Sequence, residues 1–272
     1  MINLYYLLQN NTGQPPLPWN INRDTCSWKG VTCNSDNSSV TRFSLQFFSL
    51  SNPDFLPILC QINSLESIDL SDNHLSSIPS GFMTACENLR GLRELIFSRN
   101  RLSGSLPNFD GFLKLESLDL SHNSLSGTIS LQLDGLTVDL FDNSLGGSIP
   151  ESISSNLVRL RLGNNRLNAT IPSSAFGSLL ELTYLELKNN SLGGTIPPEL
   201  GFCQNLEMLN LAFNQFTGAL PAELAVVSVN TTGNTGLIEP TYPSPTQKMK
   251  KTLSGLLVAV IGLVLVPLLL FP

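Results

Sequence analysis

The sequence predicts a right-handed α/β solenoid: about eight stacked repeats with a parallel sheet on the concave face, an N-terminal cap, and a hydrophobic C-terminal helix. Three observations predict it. A leucine–asparagine string returns at a nearly fixed period. A cysteine–tryptophan segment precedes its first copy. An uncharged run of 20 residues, Leu253 to Pro272, stands at the far end.

The string is L-x-x-L-x-L-x-x-N-x-L. It stands as LESIDLSDNHL up to Leu75, LRELIFSRNRL up to Leu102, LESLDLSHNSL up to Leu125, LVRLRLGNNRL up to Leu167, LTYLELKNNSL up to Leu192 and LEMLNLAFNQF up to Phe216. A shortened copy ends at Leu145, and a degenerate first copy, VTRFSLQFFSL, runs from Val40 to Leu50. The ladder asparagines Asn73, Asn100, Asn123, Asn143, Asn165, Asn190 and Asn214 are separated by 27, 23, 20, 22, 25 and 24 residues. That is the period of a leucine-rich repeat. One repeat cannot bury its own apolar face, so neighbours must stack into a continuous core. Within L-x-L the leucines point inward and the intervening residues outward. Each ladder Asn is expected to turn inward and satisfy backbone groups of its turn and of the adjacent repeat. It holds the fold and is a poor candidate for ligand contact.

A second signature follows the Asn in the six copies from Asn100 onward: LSGSLP, LSGTIS, LGGSIP, LNATIP, LGGTIP and FTGALP. The Gly permits a tight bend and the Pro an extended exit. This tail resembles the plant-specific subclass of leucine-rich repeats, which implies a second short strand and a superhelical twist. Three departures are expected to make irregularities: the copy at Asn73 lacks the Gly, the copy at Asn143 is about two residues short before its strand, and LSGTIS ends in Ser130.

A solenoid needs caps. Asp24 to Cys33 reads DTCSWKGVTC and resembles the N-terminal cap of plant leucine-rich-repeat receptors, as Leu4 to Leu8 resembles the short helix before it. The resemblance implies a Cys26–Cys33 bridge over a buried Trp28. Cys60 and Cys86 lie about one repeat apart and either bridge neighbouring repeats or remain two buried thiols; Cys203 reads as a core thiol. After Pro221 the pattern reads as a broken, frayed repeat to about Leu237. The chain therefore divides into a cap at 1–39, repeats at 40–237, a Pro- and Lys-containing linker at 238–252 and a hydrophobic segment at 253–272.

Composition narrows the function. The chain is 42% hydrophobic, only 13% charged, and carries a net charge of −6, so it lacks the basic footprint of a nucleic-acid binder. Sequons at Asn10, Asn37, Asn168, Asn189 and Asn230 suit a secretory route and are the candidate glycosylation sites. His74 and His122 are the only histidines and no CxxC pair exists, so neither a zinc site nor another metal or cofactor site is expected. There is no Gly-rich phosphate loop and no HRD or DFG; NFDG at Asn108 to Gly111 is a chance match in a loop. No nucleophile–base pair suggests an enzyme.

Leu253 to Pro272 is long enough to span a bilayer. It reads either as a transmembrane helix of a receptor or as a glycolipid-anchor signal. The absence of Lys or Arg after it, and Lys248, Lys250 and Lys251 before it, lean toward the anchor. MINLYYLLQNN does not read as a signal peptide. The cap and sequons nevertheless place the repeats at the extracellular face of the cell membrane.

The resemblance covers about Leu4 to Leu237 and implies the ectodomain of a plant leucine-rich-repeat receptor-like kinase or receptor-like protein without the kinase. Such ectodomains bind peptides, steroids or co-receptors. The expected partners are a peptide or protein ligand and a co-receptor kinase. A soluble or glycolipid-anchored inhibitor of secreted cell-wall-degrading enzymes is the alternative. The strand register places an acidic strip at Asp69, Asp119 and Asp139 on the concave face, beside a basic spot at Arg159, Arg161 and Lys188. Phe141, Tyr184 and Met208 supply apolar and aromatic anchors, and Glu186 lies among them. Aromatic and Arg residues are what binding hot spots favour. The candidate ligand site is therefore Phe141, Arg159, Arg161, Tyr184, Glu186 and Lys188, against the alternative of a solvated mixed face.

Overall fold

A computed structural model describes residues 1–9, 17–86, 89–109, 111–129 and 137–238. Among them, no helix is long and apolar enough to cross a membrane. The hydrophobic segment 253–272, most of the linker, and Asn10 lie outside the described residues.

The L-x-L strings form one ten-stranded sheet. Nine strands run parallel in chain order: Val40–Ser44, Ser67–Asp69, Glu94–Ile96, Ser117–Asp119, Thr137–Asp139, Arg159–Arg161, Tyr184–Glu186, Met208–Asn210 and Ser228–Asn230. The inward residue in register across the first eight, from Phe43 to Leu209, is buried. The core continues outward through phenylalanines such as Phe82, which meets Phe97 edge-on at 5.8 Å. The shortened copy keeps its place, with Thr137 opposite both Ser117 and Arg159.

The asparagine ladder explains why the stack keeps its register. Asn165 Oδ1 accepts from Leu145 N–H at 3.0 Å in the preceding repeat. Its Nδ2 donates to Leu140 O at 2.9 Å across the same boundary and to Leu162 O and Gly163 O in its own turn. Every ladder Asn from Asn73 to Asn214 accepts in the same way from the repeat before it. The amide thus satisfies backbone groups that the turn leaves without partners.

The expected second strands form on the convex side. Ser103–Ser105, Ser124–Thr128, Ser144–Gly147 and Arg166–Leu167 make one sheet; Gly193–Thr195, Gln215–Ala219 and Gly236–Ile238 make another. The tail glycines of strand-forming copies, such as Gly104 and Gly194, hold positive φ. In the copy at Asn73, Ser77 stands there, with no positive φ and no second strand. In LNATIP, Ala169 keeps the bend at φ +66, but pairing to the next repeat shrinks to the single bridge Thr170–Gly193.

At the start, the helix Ile2–Gln9 buries Leu4 and Leu8. Trp19 and Trp28 stack at 4.6 Å, and each indole N–H donates to a carbonyl, of Lys29 and Asn20 respectively. Cys26 and Cys33 are bridged, Cα to Cα 5.6 Å. The strand Val31–Cys33 pairs antiparallel with Val40–Ser44 and closes that edge of the sheet. Cys60 and Cys86 are also bridged, resolving that pair in favour of a staple between the convex helices Leu56–Leu59 and Ser80–Cys86. Cys203 is a free, buried thiol that burial pushes up to about 11.

The far end corrects the sequence reading. The segment after Pro221 is a complete turn, not a frayed one. Ser228–Asn230 extends the concave sheet and Gly236–Ile238 the convex one. Asn234 continues the ladder: it accepts from Phe216 N–H at 3.1 Å and donates to Leu211 O at 2.9 Å. Val229 and Thr231 stand where earlier copies have leucine, which hides the turn from the pattern.

Candidate partner-binding face

The concave strands carry two outward columns, set by register. One runs Arg42, Ser67, Glu94, Ser117, Thr137, Arg159, Tyr184, Met208, and the other Ser44, Asp69, Ile96, Asp119, Asp139, Arg161, Glu186, Asn210. A third outward position, two residues before each ladder Asn, carries Phe141, Gly163 and Lys188 on successive repeats.

The acidic strip is partly structural. Asp69, Asp119 and Asp139 each accept from the N–H two residues on, those of Ser71, Ser121 and Phe141, at 2.9–3.0 Å. Asn210 does the same with Ala212 N–H at 3.2 Å. These side chains close the turn after the strand, as Asx turns do. Asp69 is buried and also accepts from Gln46.

The predicted basic spot is largely neutralised. Arg161 bridges Asp139 on one side at 2.5 Å and Glu186 on the other at 2.9 Å. Lys188 pairs with Glu186 at 3.2 Å, and Tyr184 O–H donates to the same carboxylate at 3.2 Å. Glu186 is 2% exposed and serves as the hub. Burial pushes its carboxyl up, but hydrogen bonds from Arg161 and Lys188 outweigh that and hold it below its usual range. Asp139 goes the other way: burial raises it above the usual range despite Phe141 N–H and Arg161. Burial and the Glu186 charge raise the Tyr184 phenol.

Phe141 is not the projecting anchor expected from its column. It is 9% exposed and lies beneath the cations, with Arg161 at 4.8 Å and Lys188 at 4.9 Å from the ring centre and His122 edge-on at 5.5 Å. Gly163 permits this closure, because a Cβ there would sit 3.1 Å from the Phe141 ring and 3.2 Å from Glu186 Cγ. The Gly in that column was the legible signal. Four of the six candidate residues, Phe141, Arg161, Glu186 and Lys188, therefore form one closed platform.

The other two stand beside it in a different state. Arg159 stacks over the Tyr184 ring at 4.7 Å and is exposed. Arg42, by contrast, lies 3.7 Å from Glu94. Among the described residues, Arg159 has no carboxylate within ion-pair distance, so it is a cation held in place by a ring and open to a partner's anion. Met208, next in its column, is exposed. Of the predicted glycosylation sites, Asn37, Asn168, Asn189 and Asn230 are exposed. Among the described residues no cluster of metal-ligating side chains exists.

Comparison with known proteins supplies the wider setting. Residues 63–125 and 155–216 match the leucine rich repeat model, and residues 3–34 match the leucine rich repeat N-terminal domain. Receptor-like protein 39 of Arabidopsis thaliana is 32% identical over 205 residues, covering 72% of this chain and 23% of the relative. BRASSINOSTEROID INSENSITIVE 1 of the same plant is 36% identical over 211 residues, covering 75% of this chain and 16% of the relative. The chain thus spans less than a quarter of either. Among solved structures, the Arabidopsis receptor kinase HAESA, in complex with the peptide hormone IDA and the co-receptor SERK1, aligns with TM-score 0.55 and 28% identity over 81% of this chain and 46% of that one. A plant ice-binding protein shares the fold at TM-score 0.62 and 24% identity over 88% of this chain and 85% of its own.

Proposed function

We propose a binding function from one starting point: this chain belongs to the leucine-rich-repeat family of plant receptor-like ectodomains. Its role is non-catalytic recognition of a peptide or protein partner at the cell surface. The observation that carries this reading is the contrast on the concave face. Asp139, Arg161, Glu186 and Lys188 neutralise one another over Phe141, while Arg159 on the Tyr184 ring keeps a charge unanswered among the described residues. A partner that lays an acidic group over Arg159 and apolar surface toward Met208 completes the face without disturbing the closed platform.

The similarity to a receptor kinase solved with a peptide hormone and a co-receptor supports a peptide as the partner and a co-receptor kinase as a second contact. Membrane attachment rests on the uncharged segment 253–272, through a transmembrane helix or a lipid anchor.

The test is capture from an array of short synthetic acidic peptides and their amide counterparts. Arg159→Glu is expected to weaken capture of the acidic members at least about tenfold, the effect of one charge-assisted contact, with the fold intact. Equal capture by both proteins would contradict the reading.

A further inference from the structure

We infer that the lateral groove at the break between the two convex sheets is the seat of this chain's own N-linked glycan at Asn168. The inference rests on the glycosylation expected of the sequons and goes beyond it by assigning the sugar a place and partners.

The groove has a volume of about 530 Å³. Thr170, Pro172, Ser173, Ser174, Thr195 and Glu199 line it. It opens where the convex pairing shrinks to the Thr170–Gly193 bridge. Its wall is made of hydroxyls, carboxylates and proline rings, a surface of hydrogen-bonding groups interleaved with apolar ones. No cation is among the lining residues. Glu199 Oε2 is buried and has no hydrogen-bond partner among the described residues. A buried acceptor without a donor costs free energy, so the half-buried Glu199 side chain gains by turning this oxygen toward a donor in the groove it lines.

The sequon supplies one. Asn168-Ala169-Thr170 shares Thr170 with the groove wall. Two residues of chain span at most about 7 Å, so the acceptor Asn stands at the groove's edge. Asn168 is exposed, and its backbone N–H is held by Gly147 O at 2.9 Å, leaving the side-chain amide to be modified. In the transfer, Nδ2 of Asn168 loses a proton and bonds to C1 of the first sugar. The bond from C1 to the lipid-diphosphate carrier breaks, and the carrier leaves with that bond's electrons. The sugar hydroxyls then reach Ser173, Ser174 and the Glu199 carboxylate, whose Oε2 turns outward to meet them, as donors and acceptors. Asn37 makes the contrast: it is exposed in the cap and is not part of this groove.

The full chain, secreted from human cells behind a leader peptide, provides the test. Site-resolved mass spectrometry first reads occupancy at Asn168 and Asn37; peptide-N-glycosidase is then applied to the native and the denatured protein. Release from native Asn168 is expected to be at least about fivefold slower than from Asn37, the effect of one net hydrogen bond, with the difference abolished by denaturation. Glu199→Ala, checked for an unchanged melting temperature, is expected to bring the two native rates closer. An unoccupied Asn168 overturns both the glycosylation and the seat. An occupied Asn168 released as fast as Asn37 in the native protein overturns the seat alone.

Discussion

The concave sheet runs through nine parallel strands without a break, while the convex strands form two sheets joined by one bridge and are absent from the first full repeat. The two faces share the same turns, so the difference lies in what holds each one. A concave strand is held by two inward leucines and by an Asn whose amide reaches into the preceding repeat. A convex strand depends on one residue that accepts a left-handed backbone. Gly does this freely, Ala169 does it with shortened pairing, and Ser77 does not do it. Many redundant contacts give an uninterrupted surface on which to present side chains; a single permissive position gives a surface that opens wherever that residue changes.

The largest test of this contrast is Asn165→Leu. It strips an acceptor from Leu145 N–H and donors from three carbonyls, and is expected to cost about 3 kcal/mol or more in urea denaturation. A cost below that of an exposed substitution would show that the ladder is not what holds the concave face. The convex face should respond less and in both directions. Gly194→Ala places a Cβ 2.7 Å from Thr170 Cγ2 at φ +72, and is expected to cost about 2 kcal/mol. Ala169→Gly relieves a left-handed alanine and is expected to stabilise by about 0.5 kcal/mol. Loss of stability on Ala169→Gly would separate the break from that residue.

The smallest effect is in pH. Glu186 is held below its ordinary value of 4.5, so its contribution is complete above that pH and is lost as pH falls through the folded value. Asp139 is raised above 3.8 and opposes it on the acid side. Glu186→Gln should therefore lower stability near neutral pH and lose its effect below pH 4.5 in parallel denaturation series. A deficit that persists unchanged in acid would assign it to packing.

What was legible follows from the same physics. The ladder and core leucines repeat because burial leaves few substitutes, so period alone located them from Asn73 to Asn214. Asn234 was hidden because Val229 and Thr231 replace leucine in its turn. The outward columns were legible from alternation, which brought Asp139, Arg161 and Glu186 into one row. Their mutual neutralisation was not, because it depends on distances between long side chains on three strands. Phe141 looked like an anchor because its burial is decided by Gly163 one repeat away. The cap bridge came with its motif, whereas Cys60 and Cys86 have a spacing that fits a bridge and two thiols equally well until the helices bearing them are placed.

The central claim is that binding belongs to the concave face around Arg159 and Tyr184. Hydrogen exchange of the full chain, with and without the acidic peptide it captures best, tests it most directly. The account predicts added protection on Thr137–Asp139, Arg159–Arg161 and Tyr184–Glu186, and unchanged exchange on the convex strands Ser144–Gly147 and Arg166–Leu167. Protection on the convex strands, with the concave ones unchanged, would contradict it.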